Sequence, residues 1–137
     1  MNPLPTSDRA HLCTAALLLC AGAQAQAAPP SLAAAYEGIW NNLEGPVTNR
    51  MRITIDKVDA DGNIDGTYAR QARYCATKGV PLKGKLNGSS LELRPDFSDN
   101  VACKDTFWTL QLQADGSLTG TGSSYFQLAA TLKPEAK

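Results

Sequence analysis

Arg50-Met51-Arg52-Ile53-Thr54-Ile55-Asp56-Lys57-Val58-Asp59-Ala60-Asp61-Gly62-Asn63-Ile64-Asp65-Gly66-Thr67-Tyr68-Ala69-Arg70 is the stretch whose reading decides the fold. In its first half Met51, Ile53 and Ile55 share one face, and Arg52, Thr54 and Asp56 share the other. A period of two is that of a strand with one dry and one wet face. Asp61-Gly62 is a dipeptide preferred in hairpin turns, because Asp and Gly tolerate the positive φ such turns demand. A second strand-like run follows from Asn63 to Arg70, so the stretch predicts an antiparallel hairpin.

The same rhythm extends in both directions. Asn87-Gly88 and Asp115-Gly116 are further hairpin signals between strand-like runs. Strands are predicted over Gly38–Asn42, Arg50–Val58, Asn63–Arg70, Val80–Leu86, Ser89–Arg94, Thr106–Gln113, Ser117–Gly122 and Tyr125–Leu132. Val80, Leu82 and Leu86 alternate with Lys83 and Lys85, and Trp108, Leu110 and Leu112 alternate with Thr109, Gln111 and Gln113. No stretch keeps helical periodicity long enough to propose a helix. Eight strands joined mostly by hairpins fit a two-sheet sandwich or an up-and-down barrel. A barrel removes exposed edges, and with eight strands its interior just holds a small ligand at one mouth.

The N-terminus reads as a signal peptide over residues 1–25, with cleavage after 27 as the alternative. Arg9 lies in a short polar region, Ala10 to Ala23 is apolar, and Ala23-Gln24-Ala25 or Ala25-Gln26-Ala27 is a small-x-small cleavage site. The apolar run is shorter than the roughly 20 residues a bilayer-spanning helix needs, so a secreted or periplasmic protein is expected. Residues 26–35, with Pro29-Pro30 and an alanine run, are expected to form a disordered leader. The domain is expected over 36–133, with a frayed tail over 134–137 that carries Pro134.

Charge and composition exclude several function classes. Lys and Arg total 13 against 13 Asp and Glu, so no steering field for nucleic acid or an anionic membrane is expected. The single histidine, His11, leaves with the signal peptide. Ser-His-Asp and Cys-His catalysis, and most catalytic zinc sites, need imidazole, so no enzyme is expected. Asp61-x-Asn63-x-Asp65-Gly66 matches the first half of a calcium loop, but its twelfth position is Ala72 where a bidentate Glu is required. No metal and no cofactor are expected. Cys75 and Cys103 survive cleavage, and an even pair in an exported domain reads as one structural disulfide. Closing a loop of that length stabilises by about 3.5 kcal/mol in the chain-entropy model.

Three motifs in this order resemble the avidin and streptavidin family. Gly38-Ile39-Trp40-Asn41-Asn42-Leu43-Glu44-Gly45 resembles its G-x-W-x-N-x-x-G opening. Asp61-Gly62-Asn63-Ile64-Asp65-Gly66-Thr67-Tyr68 resembles its second-to-third-strand hairpin. Pro81-Leu82-Lys83-Gly84-Lys85-Leu86-Asn87-Gly88 is similar to the P-L-T-G-x-x-N-G stretch of the dimeric, rhizavidin-like branch. That branch carries a disulfide between the loops after strands three and five, where Cys75 and Cys103 fall. The resemblance implies an all-β, eight-stranded antiparallel up-and-down barrel. It also implies that Asn42 and Tyr68 meet the ureido oxygen of biotin, while Thr106 and Trp108 supply a hydroxyl and an aromatic wall. Trp40 is expected to fill the closed end of the barrel as core.

The departures from the family are as informative. Pro46 stands where a ligand-binding serine is expected, and Arg70 where another is. Pro95 replaces an expected tryptophan, with Phe97 the nearest aromatic. Neither a tryptophan nor an aspartate follows Trp108, other than Asp115 in a turn, so a wall and an acceptor of the ureido group are absent. The expected result is an exported small-ligand-binding barrel with weak or lost biotin affinity, its site drawn from Asn42, Tyr68, Arg70, Phe97, Thr106 and Trp108. Arg70 reads either as the partner of an anionic ligand group or as a salt bridge to Asp99 or Asp105. The alternative function is an interaction module, an inhibitor or effector that binds a protein through its loops. Ser123-Ser124 makes too short a connection to reach across a subunit interface, so a monomer or homodimer is expected.

Overall fold

The computed structural model of the chain describes residues 31–45, 48–73, 75–100 and 102–136. The expected signal peptide and the first part of the expected leader lie outside the described residues. Eight strands follow in order: β1 Ala35–Asn42, β2 Thr48–Val58, β3 Asn63–Arg70, β4 Thr77–Asn87, β5 Ser90–Pro95, β6 Phe107–Leu112, β7 Leu118–Ser123 and β8 Gln127–Pro134. Each pairs antiparallel with the next, and β8 returns to β1, so the sheet closes into a barrel. Between sandwich and barrel, the structure decides for the barrel.

Closure puts the alternation to use. Every strand has one apolar face, and turning all of these inward buries Tyr36, Met51, Ile53, Ile64, Leu82, Leu91, Leu93, Leu110, Leu118 and Leu132 in one core. The outward residues of β2 and β4 carry the charges, with Arg52 paired to Glu135 and Lys83 to Asp65. In β7 the inward Gly122 leaves room for a neighbour, since a Cβ there would stand 2.6 Å from the Trp108 ring.

Strand direction divides the connections between two ends. At one end lie the β2–β3, β4–β5 and β6–β7 turns, whose Gly62, Gly88 and Gly116 have φ of 86°, 62° and 86°. Asp59 tightens the first of these by accepting the backbone N–H groups of Asp61 and Asn63, and Asp115 accepts that of Ser117. At the other end lie the β1–β2, β3–β4, β5–β6 and β7–β8 loops. The Cys75–Cys103 disulfide joins two of them, with Cα atoms 5.0 Å apart.

The strand ends depart from expectation where barrel closure adds partners. β1 starts at Ala35 and β8 runs to Pro134, because the two pair as far as Tyr36 opposite Pro134. Residues expected in the leader and the tail are thereby drawn onto the barrel. Leu32 and Ala33 pack against the core, Ala33 N–H donates to the Tyr36 hydroxyl at 2.8 Å, and Ile55 N–H donates to the Ala34 carbonyl. The Glu135 N–H donates to the Ala35 carbonyl. The turn end is thus covered by the chain's own N-terminal segment.

Candidate functional site

The last inward residue of each strand that runs toward the loop end delimits one polar cluster in an otherwise apolar interior. β3 contributes Tyr68 and Arg70, two residues apart and therefore on one face; β1 contributes Trp40 by the same parity. β6 contributes Trp108, preceded by Thr106, and the loop after β5 folds Phe97 inward. The β3–β4 ladder slips by one residue between Tyr68 and Arg70, an irregularity that ends regular pairing beside the site.

Tyr68 is fully buried and accepts a hydrogen bond from the Trp108 indole N–H at 3.3 Å. The Phe97 ring meets it edge-on, with centroids 6.0 Å apart. Burial raises the Tyr68 pKa above the usual phenol value, and the neighbouring Arg70 charge offsets only part of that. The phenol therefore keeps its proton at neutral pH.

Arg70 is only 8% exposed. Its Nε donates to the Cys75 carbonyl at 3.0 Å, and its Nη2 to the Cys75 sulfur at 2.6 Å. The guanidinium lies 5.4 Å from the Trp40 ring centroid and 5.0 Å from that of Phe97, so two aromatic faces share its charge. Neither Asp99 nor Asp105 pairs with it; both are exposed, and among the described residues no carboxylate does. The expected salt bridge is replaced by the disulfide loop, because the bridge to Cys103 holds Cys75 over the barrel mouth next to the end of β3.

The expected site residues thus divide. Tyr68, Arg70, Phe97 and Trp108 come together. Thr106 is buried just before β6, and its hydroxyl donates to the Lys104 carbonyl at 3.0 Å. Asn42 is half-buried at the rim, where its Oδ1 accepts the Glu44 N–H at 2.8 Å and shapes the β1–β2 loop. The expected convergence of Asn42 on Tyr68 is not formed: the Tyr68 hydroxyl meets Trp108 instead. Pro46 lies outside the described residues.

Two residues of the cluster have roles the sequence reading assigned elsewhere. Trp40, expected at the closed end, stands at the loop end against Arg70 because β1 runs toward that end; its Nε1 is buried without a hydrogen-bond partner among the described residues. Cys75, read as structural, also supplies the carbonyl and sulfur that hold Arg70. Parity signalled the first, since Trp40 precedes the site residue Asn42 by two. No sequence signal carried the second, because loop geometry made the contact.

No protein-family model matches the chain, and no curated protein matches it. Among solved structures, one of a shwanavidin variant in complex with biotin is similar, with a TM-score of 0.51 at 18% sequence identity, covering 74% of this chain and 96% of that chain. At that identity the likeness concerns the fold: an avidin-like eight-stranded barrel.

Proposed function

We propose that this protein is an exported small-ligand-binding barrel whose site lies in the lumen at the loop end, around Tyr68, Arg70, Phe97 and Trp108. The observation that carries the reading is a buried polar cluster incompletely partnered among the described residues: Arg70 without a carboxylate there and Trp40 Nε1 without an acceptor there. Native interiors satisfy such groups, and exceptions at the mouth of a barrel mark a place where another molecule completes the bonding. The similar fold of the biotin-complexed shwanavidin supports a lumenal site.

Biotin affinity is weak or lost in this reading. Asn42 is committed to its own loop, and the inward residues of β8 are Leu128, Ala130 and Leu132, which accept no hydrogen bond from a ureido group. A site built on hydrogen bonds loses heavily when partners are missing. Tyr68, Thr106 and Trp108 have almost no accessible surface, so a ligand reaches them only when Arg70 or Phe97 moves. A groove of about 340 Å³ between 76–81 and 96–100 borders Phe97 and supplies the approach. The disulfide is consistent with a secreted or periplasmic location, and the three-residue β7–β8 connection with a monomer or homodimer.

Calorimetry and thermal-shift measurements with biotin and a metabolite panel test the reading. A ligand that raises the Tm and loses its effect in Tyr68→Phe or Trp108→Phe supports it; no shift with any compound defeats it. A second reading, a protein-binding module, is favoured by the apolar rim: Tyr125 is 71% exposed, and Leu43 and Phe126 stand exposed around the Leu43–Gln127 backbone bond. In that case Tyr125→Ser abolishes capture of a partner from the secreted fraction, and Tyr68→Phe leaves it intact.

A further inference from the structure

The lumenal cluster is chemically one-sided, because what it still offers is almost entirely hydrogen-bond donors. Arg70 engages Cys75 along the edge formed by Nε and Nη2 and also interacts with the Tyr68 hydroxyl, so the Nη1 side of its fork is not spent on Cys75. Trp40 Nε1 is an unpartnered buried N–H on a side chain only 8% exposed. The Tyr68 oxygen already accepts from Trp108, so its remaining offer is its O–H. Two acceptors of the described loop end each already take one hydrogen bond: the Cys75 carbonyl from Arg70, and Asn42 Oδ1 from Glu44.

The charge balance points the same way. Among the described residues the buried polar or charged side chains are Arg70, Thr106 and Ser117, and none is an acid. A guanidinium withdrawn from water without an anion is disfavoured, even after two aromatic faces and a carbonyl share its charge. A neutral ligand that presents N–H groups would set donors against donors and repair nothing. An oxyanion repairs both deficits, and the apolar walls favour a singly charged, weakly hydrated one.

Resting on the lumenal site proposed above, we propose that the ligand is a small monocarboxylate with a flat apolar body. Its carboxylate bridges the Nη1/Nη2 end of Arg70 that Cys75 does not engage, with the Trp40 N–H and Tyr68 O–H directed at its remaining lone pairs. The body lies against Phe97 and Trp108. Planar two-oxygen acceptors match the guanidinium fork, and aromatic walls suit a flat apolar body.

The test uses the fact that the chain's two tryptophans, Trp40 and Trp108, both belong to the lumen, so intrinsic fluorescence reports this region. The full chain is titrated with 3-phenylpropionate, its primary amide, biotin and biotinamide, with thermal shift in parallel. The acid binds at least tenfold more tightly than its amide, and biotin more tightly than biotinamide. Arg70→Gln brings each acid to within threefold of its amide, and Arg70→Lys restores part of the preference. Equal binding of acid and amide, or a preference unchanged in Arg70→Gln, overturns the carboxylate assignment and leaves lumenal binding standing. Silence from all four compounds overturns both. The wild-type acid-to-amide ratio needs no variant, so it decides the matter even if Arg70→Gln folds poorly.

Discussion

The two ends of the barrel solve the same problem, connecting antiparallel strands, by different means. At the turn end, hairpins close over Gly62, Gly88 and Gly116 with help from Asp59 and Asp115, and residues 31–34 cover the interior. The hairpin devices there are local, made by residues a few positions apart, while the covering segment reaches across the chain to Ile55. At the loop end, Cys75 reaches Cys103, Arg70 reaches Cys75, and Phe97 folds onto Tyr68, all between different elements. Local devices satisfy their own polar groups; the assembled end leaves a cation and an indole N–H incompletely matched. That imbalance is why the site is placed there.

The contrast is broken most severely by removing the disulfide. Cys75→Ser with Cys103→Ser is expected to lose about 3.5 kcal/mol, lowering the Tm by roughly 15–25 °C in calorimetry. It is also expected to change tryptophan fluorescence, because Arg70 loses its anchor beside Trp40. A lowered Tm with unchanged fluorescence would mean that the loop does not position Arg70.

Glycine substitutions at the two ends come next. Gly62→Ala forces a Cβ to 2.4 Å from the Leu86 carbonyl at positive φ, and Gly122→Ala forces one to 2.6 Å from the Trp108 ring. Each is expected to cost about 1–3 kcal/mol by chemical denaturation. Only Gly122→Ala should shift the tryptophan emission, so an equal shift from Gly62→Ala would show the two ends to be coupled.

Arg70→Met sharpens the comparison with a smaller effect of opposite sign. Replacing an uncompensated buried cation by an apolar chain of similar length is expected to be neutral or to stabilise by about 1 kcal/mol. A loss of more than about 2 kcal/mol would make Arg70 a structural keystone and remove the argument that it awaits an anion.

The pH dependence separates the ends most gently. Hydrogen bonds from Asn63 hold the Asp59 carboxyl below its usual range, those from Ser117 do so for Asp115, and those from Arg52 for Glu135. All three lie at the turn end, while at the loop end hydrogen bonds from Ser98 hold Asp96 down in the same way. A lowered folded-state pKa contributes stability above the unfolded value and loses it as pH falls through the folded one, so the turn end is expected to loosen first below about pH 4. Burial raises the pKa of Tyr68, and of Tyr36 at the turn end. Their contribution holds below about pH 10 and is lost as pH rises through the raised values. Tyrosinate absorbance against pH, with and without Tyr68→Phe, reads the loop-end share: the variant should lose only amplitude that titrates above the ordinary phenol range, and a loss within that range would contradict the burial of Tyr68.

The strands and their inward faces were legible because a period of two is a property of neighbouring residues. Tyr68, Trp108 and Trp40 lie inward as parity requires. The Asp-Gly and Asn-Gly turns were legible for the same reason, since positive φ is a demand on one or two residues. The local partner of Asn42, the Glu44 N–H, was not legible, because local Asx bonding competes with long-range contact and neither leaves a periodic trace. Arg70's partners were illegible: five residues of loop and a bridge to Cys103 bring Cys75 to it, and neither has a periodic signature.

By itself the sequence determined the alternation and the turns, both consequences of chain geometry over a few residues, and offered Cys75 and Cys103 as a pair. Only the tertiary structure decided that the sheet closes, that Trp40 belongs to the loop end, and that Arg70 faces aromatic rings and a disulfide in place of Asp99 or Asp105. Closure is a global condition on strand number and stagger, and a buried charge takes whatever partners the closed barrel brings within reach.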